Sequence, residues 1–127
     1  MKMNDPDVMA EVTAAFLAYE QALMTNDLDA MDALFWQSPL TIRFGPGQNL
    51  YGIEAIQAFR AARPGGSPQR TLANTVITTF GTDFATANTE FQREGGTKTG
   101  RQSQAWVKFD SGWRVVSAHV SLMAEGN

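Results

Sequence analysis

The chain has no cysteine, one histidine and a shortage of basic residues, and each shortage removes a class of function. Without cysteine there are no disulfides, iron–sulfur clusters, thiolate zinc sites or cysteine nucleophiles. His119 being alone, no histidine pair can ligate a metal, and the acids are not clustered, so neither metal nor cofactor is expected. Lysine and arginine total 10 against 13 acids, giving a net charge of −3 and a sequence pI near 5.0. Phosphate binding needs a basic surface, so nucleic acid is not an expected partner. No run approaches the ~18 apolar residues of a membrane span, and the opening Met1-Lys2-Met3-Asn4-Asp5-Pro6 has no apolar signal region. A soluble, cytoplasmic protein that does not engage a membrane is expected. Gly45-Pro46-Gly47 and Gly95-Gly96 have turn spacing, not the spacing of phosphate or dinucleotide loops.

What is present is enough for one domain over 1–127, long enough to bury a core without staples. Asp5-Pro6 reads as an N-cap with proline in the first helical turn. Met9, Val12, Phe16, Tyr19 and Leu23 then recur at spacings of 3 and 4, which predicts an amphipathic helix of about five turns. "LDAMDALFW" predicts a shorter helix ending before Ser38-Pro39. Leu40 to Phe44 alternates as a short strand, "QNLYG" returns as another, and "IEAIQAFRAAR" predicts a helix burying Ile53, Ile56 and Phe59. Four longer strands follow: Gln69 to Phe80, Phe84 to Arg93, and a hairpin from Arg101 to Met123 turning at Asp110-Ser111-Gly112. Helices gathered on one face of a strongly curved antiparallel sheet make an α+β fold. Such a sheet, wrapped round N-terminal helices, leaves a cone with a pocket inside.

The last strand carries Ser117, His119 and Ser121 on the face of Trp113 and Val115. This predicts polar groups on the cavity wall. Its other face, with Val116, Ala118, Val120 and Leu122, predicts an apolar convex surface covered by a second copy in a two-fold homodimer. Arg101 and Ser103 would face the cone, with Gln102, Gln104 and Trp106 on the convex side. A bulge in the hairpin would exchange the two sets.

Arg43 is the strongest candidate residue. With Thr41 and Arg43 facing the cone, its guanidinium is a permanently charged, bidentate anchor for a small carboxylated ligand. Turned over, the same strand leaves Arg43 solvated at an edge. Tyr19 lies on the buried stripe of the first helix, where its hydroxyl needs a partner. It is either a core tyrosine with a structural hydrogen bond or a proton donor and acceptor. His119 with Ser117 or Ser121 suggests a nucleophilic pair, but i and i+2 side chains lie roughly 7 Å apart on a strand. A pocket-wall histidine is the better reading. The substrate-binding set is His119, Ser121, Arg101, Ser103 and Phe59. Arg60, Arg63 and Arg70 surround the Pro-Gly loop, either as a positive rim that attracts anions or simply solvated.

The element order, "GIEAIQAF" and "WRVVSAHVS" resemble the NTF2-like (cystatin-like), SnoaL-like superfamily. More narrowly, "NDLDAMDALFW", "NLYGIEAIQAFRAARP" and "GRQSQAWVKF…GWRVVSAHVSLM" resemble its AtzH-like group, including HpxZ-like proteins of oxalurate catabolism. The resemblance implies a cofactor-free, decarboxylating amidohydrolase acting on a carboxylated urea or ureide. In that group a tyrosine on the first helix and an arginine on the first strand are linked to activity, and Tyr19 and Arg43 match them. Two other readings stay open: a non-catalytic dimeric accessory or ligand-binding protein of ureide catabolism, and a ketosteroid-isomerase-like acid–base enzyme.

Overall fold

The computed structural model describes residues 1–124. Asp5 caps α1 (Pro6–Met24), its Oδ1 accepting the Asp7 N–H at 3.0 Å. The stripe it buries is Val8, Val12, Phe16, Tyr19, Ala22 and Leu23, with Met9 only partly covered. Asp27 caps α2 (Leu28–Ala33) in the same way, accepting the Ala30 N–H at 3.1 Å. Beyond α2 the chain docks on the sheet: the Val115 N–H donates to the Leu34 carbonyl at 2.8 Å, and Phe35 is 1% exposed. Two short strands, β1 (Ile42–Phe44) and β2 (Asn49–Tyr51), lead into α3 (Ile53–Ala62). The long strands β3 (Arg70–Phe80), β4 (Phe84–Arg93), β5 (Thr99–Phe109) and β6 (Gly112–Leu122) complete the chain's order.

All six strands form one sheet in the order β2-β1-β6-β5-β4-β3, antiparallel throughout except for the parallel pair β1 and β6. The sheet is curved and unclosed, and the fold is the α+β cone that the element order predicts. The core between helices and sheet holds Phe16, Met31, Phe35, Ile56, Trp106 and Val115.

One bulge decides which residues see the interior. Ala105 pairs with Ser117 but Trp106 pairs with Val115, so Val116 is an extra residue in β6. An extra residue shifts the alternation of side chains by one. Trp113 and Val115 point inward before the bulge, and Ala118 and Val120 point inward after it, at 5% and 7% exposure. This corrects the expected facing of the hairpin. Ser117, His119 and Ser121 lie on the outer face, as do Arg101 and Ser103 of β5, while Gln102, Gln104 and Trp106 are buried inside. The outer residues bond to one another. Arg101 Nε donates to Ser121 Oγ at 3.2 Å, Ser103 Oγ to Asn88 Oδ1 at 2.6 Å, and His119 meets Phe44 edge-on at 5.9 Å. His119, Ser121, Arg101 and Ser103 therefore lie outside the cone, where together they line a separate depression on the outer face. The convex surface is polar where an apolar stripe was expected, because Ala118 and Val120 belong to the core.

Candidate functional site

β1 is short, but its facing is fixed by its neighbours. Thr41, fully buried just before the strand, donates its hydroxyl to the Trp36 carbonyl at 2.7 Å. Ile42 and Phe44 then turn to the outer side, and Arg43 enters a cleft between the helices and the sheet. The enclosed part of that cleft is small, about 30 Å³, and its atom-free space reaches about 500 Å³ only when the open mouth and adjoining solvent are counted. Tyr19 from α1, Phe59 from α3 and Arg43 all line it, so three sequence candidates meet there.

Five arginines line the cleft: Arg43, Arg60, Arg63, Arg70 and Arg93. They divide by their partners. Arg60 is 4% exposed, its Nη1 pairs with Asp32 at 2.7 Å and its guanidinium lies 4.3 Å from the Phe35 ring centre. Its Nη2 reaches the Tyr19 hydroxyl at 3.5 Å, a long contact. Arg70 makes a two-pronged pair with Glu20, at 3.0 and 2.6 Å, and stacks over Phe91 at 4.6 Å. Phe91 holds that place because a side chain at Gly100, its cross-strand neighbour, would collide with the ring. Arg60 and Arg70 are thus neutralised interior groups, not the solvated rim that their place beside the Pro-Gly loop allowed.

Among the described residues, Arg43 and Arg63 have no carboxylate within ion-pair distance. Their guanidiniums lie 5.2 and 5.3 Å from the centre of the Phe59 ring. Arg43 Nη1 and Arg63 Nε are buried without a hydrogen-bond partner among the described residues. Burial pushes both pKa values down from the ordinary guanidinium range, the Tyr19 oxygen opposes that shift, and the other arginines add to it. A guanidinium stays charged through such a shift. Arg93, 5.7 Å from the Phe91 ring centre, likewise has no ion-pair partner among the described residues. The cleft therefore holds three arginines without a carboxylate and, at Arg43 and Arg63, buried unused N–H donors, which an anion with carboxylate geometry would satisfy.

Acid–base groups other than Tyr19 are missing from the lining. It contains no histidine, aspartate or glutamate among the described residues, since Asp32 and Glu20 sit behind their arginines. No group of three or more His, Cys, Asp or Glu side chains comes together among those residues either. Sequence reasoning missed Arg60 and Arg70 as buried groups because their partners lie 28 and 50 residues away. It also placed Gln102 outside, for want of the bulge.

Comparison with solved structures agrees with this architecture. The chain is 48% identical to a cystatin-like fold protein from Burkholderia xenovorans, covering 99% of each chain with a TM-score of 0.94. It is 59% identical to a protein of unknown function from Pectobacterium atrosepticum, covering 96% of this chain and 95% of that one, also at 0.94. An NTF2-like superfamily protein from Salmonella enterica is 28% identical over 96% of this chain and 95% of that one, with a TM-score of 0.78. The molecule is an NTF2-like protein with an arginine-lined cone. Within that superfamily the chain belongs to the AtzH-like family, whose model matches residues 1–126. No curated protein matches it.

Proposed function

We propose that the protein is a cofactor-free enzyme that removes a carboxylate from a small carboxylated urea or ureide. The observation that carries this reading is the pair Arg43 and Arg63, unpartnered and facing the same cleft as the Tyr19 hydroxyl. The two guanidiniums with buried, unused donors suit a ligand with two negative groups, and AtzH-like resemblance implies a decarboxylating amidohydrolase. Arg43 and Arg63 hold the carboxylates. Tyr19 gives its phenolic proton to the nitrogen that bears one of them. The N–C bond breaks with its electron pair going to nitrogen, the carboxylate leaves as CO2, and the phenolate regains a proton from water. A homodimer through the outer face of the sheet belongs to the same proposal, now without support from apolar cover.

A second reading, a non-catalytic ligand-binding or accessory protein, is favoured by the lack of a histidine or carboxylate base in the described lining. The same lack, with five arginines inside, argues against an acid–base enzyme for apolar polycyclic substrates. Turnover separates the first two. CO2 release from an N-carboxylated urea by the purified protein, lost in Tyr19→Phe, supports the enzyme. Tight binding of the same compound with no release supports the accessory protein.

A further inference from the structure

Gln102 is 4% exposed on the inner face of β5 and lines the cleft. Its Oε1 accepts from Arg70 Nη2 at 2.9 Å, and its Nε2 is buried with no partner among the described residues. The orientation of this amide is not free. Arg70 can only donate, so the carbonyl end must face it, and Arg70 is itself clamped by Glu20 on one side and stacked on Phe91. The series Glu20, Arg70, Gln102 therefore fixes an N–H donor on the cleft wall. A buried donor without a partner is costly unless something bound there accepts from it.

Gln102 differs from Arg43 and Arg63 in carrying no charge. A neutral donor gains less than a guanidinium from a carboxylate, and it is suited to an uncharged carbonyl oxygen. We propose that Gln102 is a specificity-determining residue: its amide N–H donates to the carbonyl oxygen that lies between the two carboxylates of the ligand, so the site selects carbonyl-bridged dicarboxylates over plain ones. This rests on the reading of the cleft as a dicarboxylate site and says which dicarboxylates it takes. An analogue lacking the carbonyl leaves the amide buried and unpaired, which is how a polar site rejects a near-isostere.

Glutarate and 3-oxoglutarate differ at the centre by that one carbonyl group and match the spacing of a urea with a carboxylate on each nitrogen. Calorimetric titration of the intact protein with each is the test. The wild type is expected to bind 3-oxoglutarate at least about tenfold more tightly than glutarate, the effect of one hydrogen bond to a buried donor. In Gln102→Met the ratio falls to about one while glutarate affinity changes by less than about threefold. Gln102→Glu keeps an acceptor for Arg70 and the side-chain shape, and loses the preference as well, which guards against a misfolded methionine variant. Equal binding of both ligands by the wild type, or a preference that survives in both variants, overturns the role of Gln102 and leaves the dicarboxylate reading standing. Failure of both ligands to bind the wild type overturns both.

Discussion

Arg43 and Arg63 share one aromatic ring: their guanidinium carbons lie 5.2 and 5.3 Å from the centre of Phe59, and neither has a carboxylate partner among the described residues. Two like charges converge in a partly desolvated cleft, a cost to the fold that ligand binding would repay. Arg43→Met should therefore raise the thermal midpoint of the ligand-free protein, by the equivalent of about 1 kcal/mol, while removing stabilisation by dicarboxylates. Differential scanning calorimetry with and without ligand reads both effects. A lower midpoint for the ligand-free variant would mean that Arg43 supports the fold.

Tyr19→Phe removes the one group of the described lining that the proposed reaction uses to move a proton, and it leaves the ring against Phe35 at 5.5 Å in place. The variant should bind dicarboxylates within about threefold of wild type. Its turnover of an N-carboxylated urea should fall by at least about a hundredfold, the usual scale of general acid catalysis. Unchanged turnover would take Tyr19 out of the chemistry.

Asp32 holds Arg60 in the interior, and the side chain of Arg60 is 3% exposed. Asp32→Asn leaves that guanidinium without a counter-charge, at an expected cost of about 2 kcal/mol, reduced from a fully buried pair because Asp32 is partly solvated. Urea unfolding measures it. A double variant, Asp32→Asn with Arg60→Met, should recover most of the loss, and a double variant no more stable than Asp32→Asn would contradict the pairing.

The acid side of the stability profile has an identifiable contributor. Glu11 of α1 accepts from the Trp113 indole and from Lys108, both at 2.9 Å, tying the helix to β5 and β6. The Trp113 bond first, and then Lys108, hold its carboxyl below the usual carboxylate range. A lowered folded-state pKa means that the stabilisation is present above the unfolded value, about 4.3, and is lost as pH falls through the folded value. Asp5, lowered chiefly by its bond to Lys2, titrates with the same sign. The thermal midpoint should drop below about pH 4.5, and less steeply in Glu11→Gln. Parallel profiles for the two proteins would exclude Glu11.

The architecture was legible in the sequence because its signals are local. Asp5-Pro6 marked the start of α1 and Asp110-Ser111-Gly112 turned the hairpin, whereas the alternation through Thr41 and Arg43 left both facings of β1 open. The rest of the site depends on contacts distant in sequence. One extra residue, Val116, reversed the facing of His119, Ser121, Arg101 and Ser103, and no composition signal distinguishes a bulged strand from a regular one. Arg60 and Arg70 read as a positive rim or as solvated groups because Asp32 and Glu20 reach them only through the packing of α2 and α1. Gln102 gained its fixed orientation from Arg70 alone.

The central claim is that the cleft binds a small dicarboxylate through Arg43. Its most direct test is thermal unfolding of the wild type and Arg43→Ala with a graded series of mono- and dicarboxylates, carboxylated ureides among them. A ligand that binds only the folded protein raises the midpoint by mass action. The account predicts a rise that is larger for dicarboxylates than for monocarboxylates and absent in Arg43→Ala. Equal shifts in the two proteins, or a rise only with uncharged apolar ligands, would contradict it.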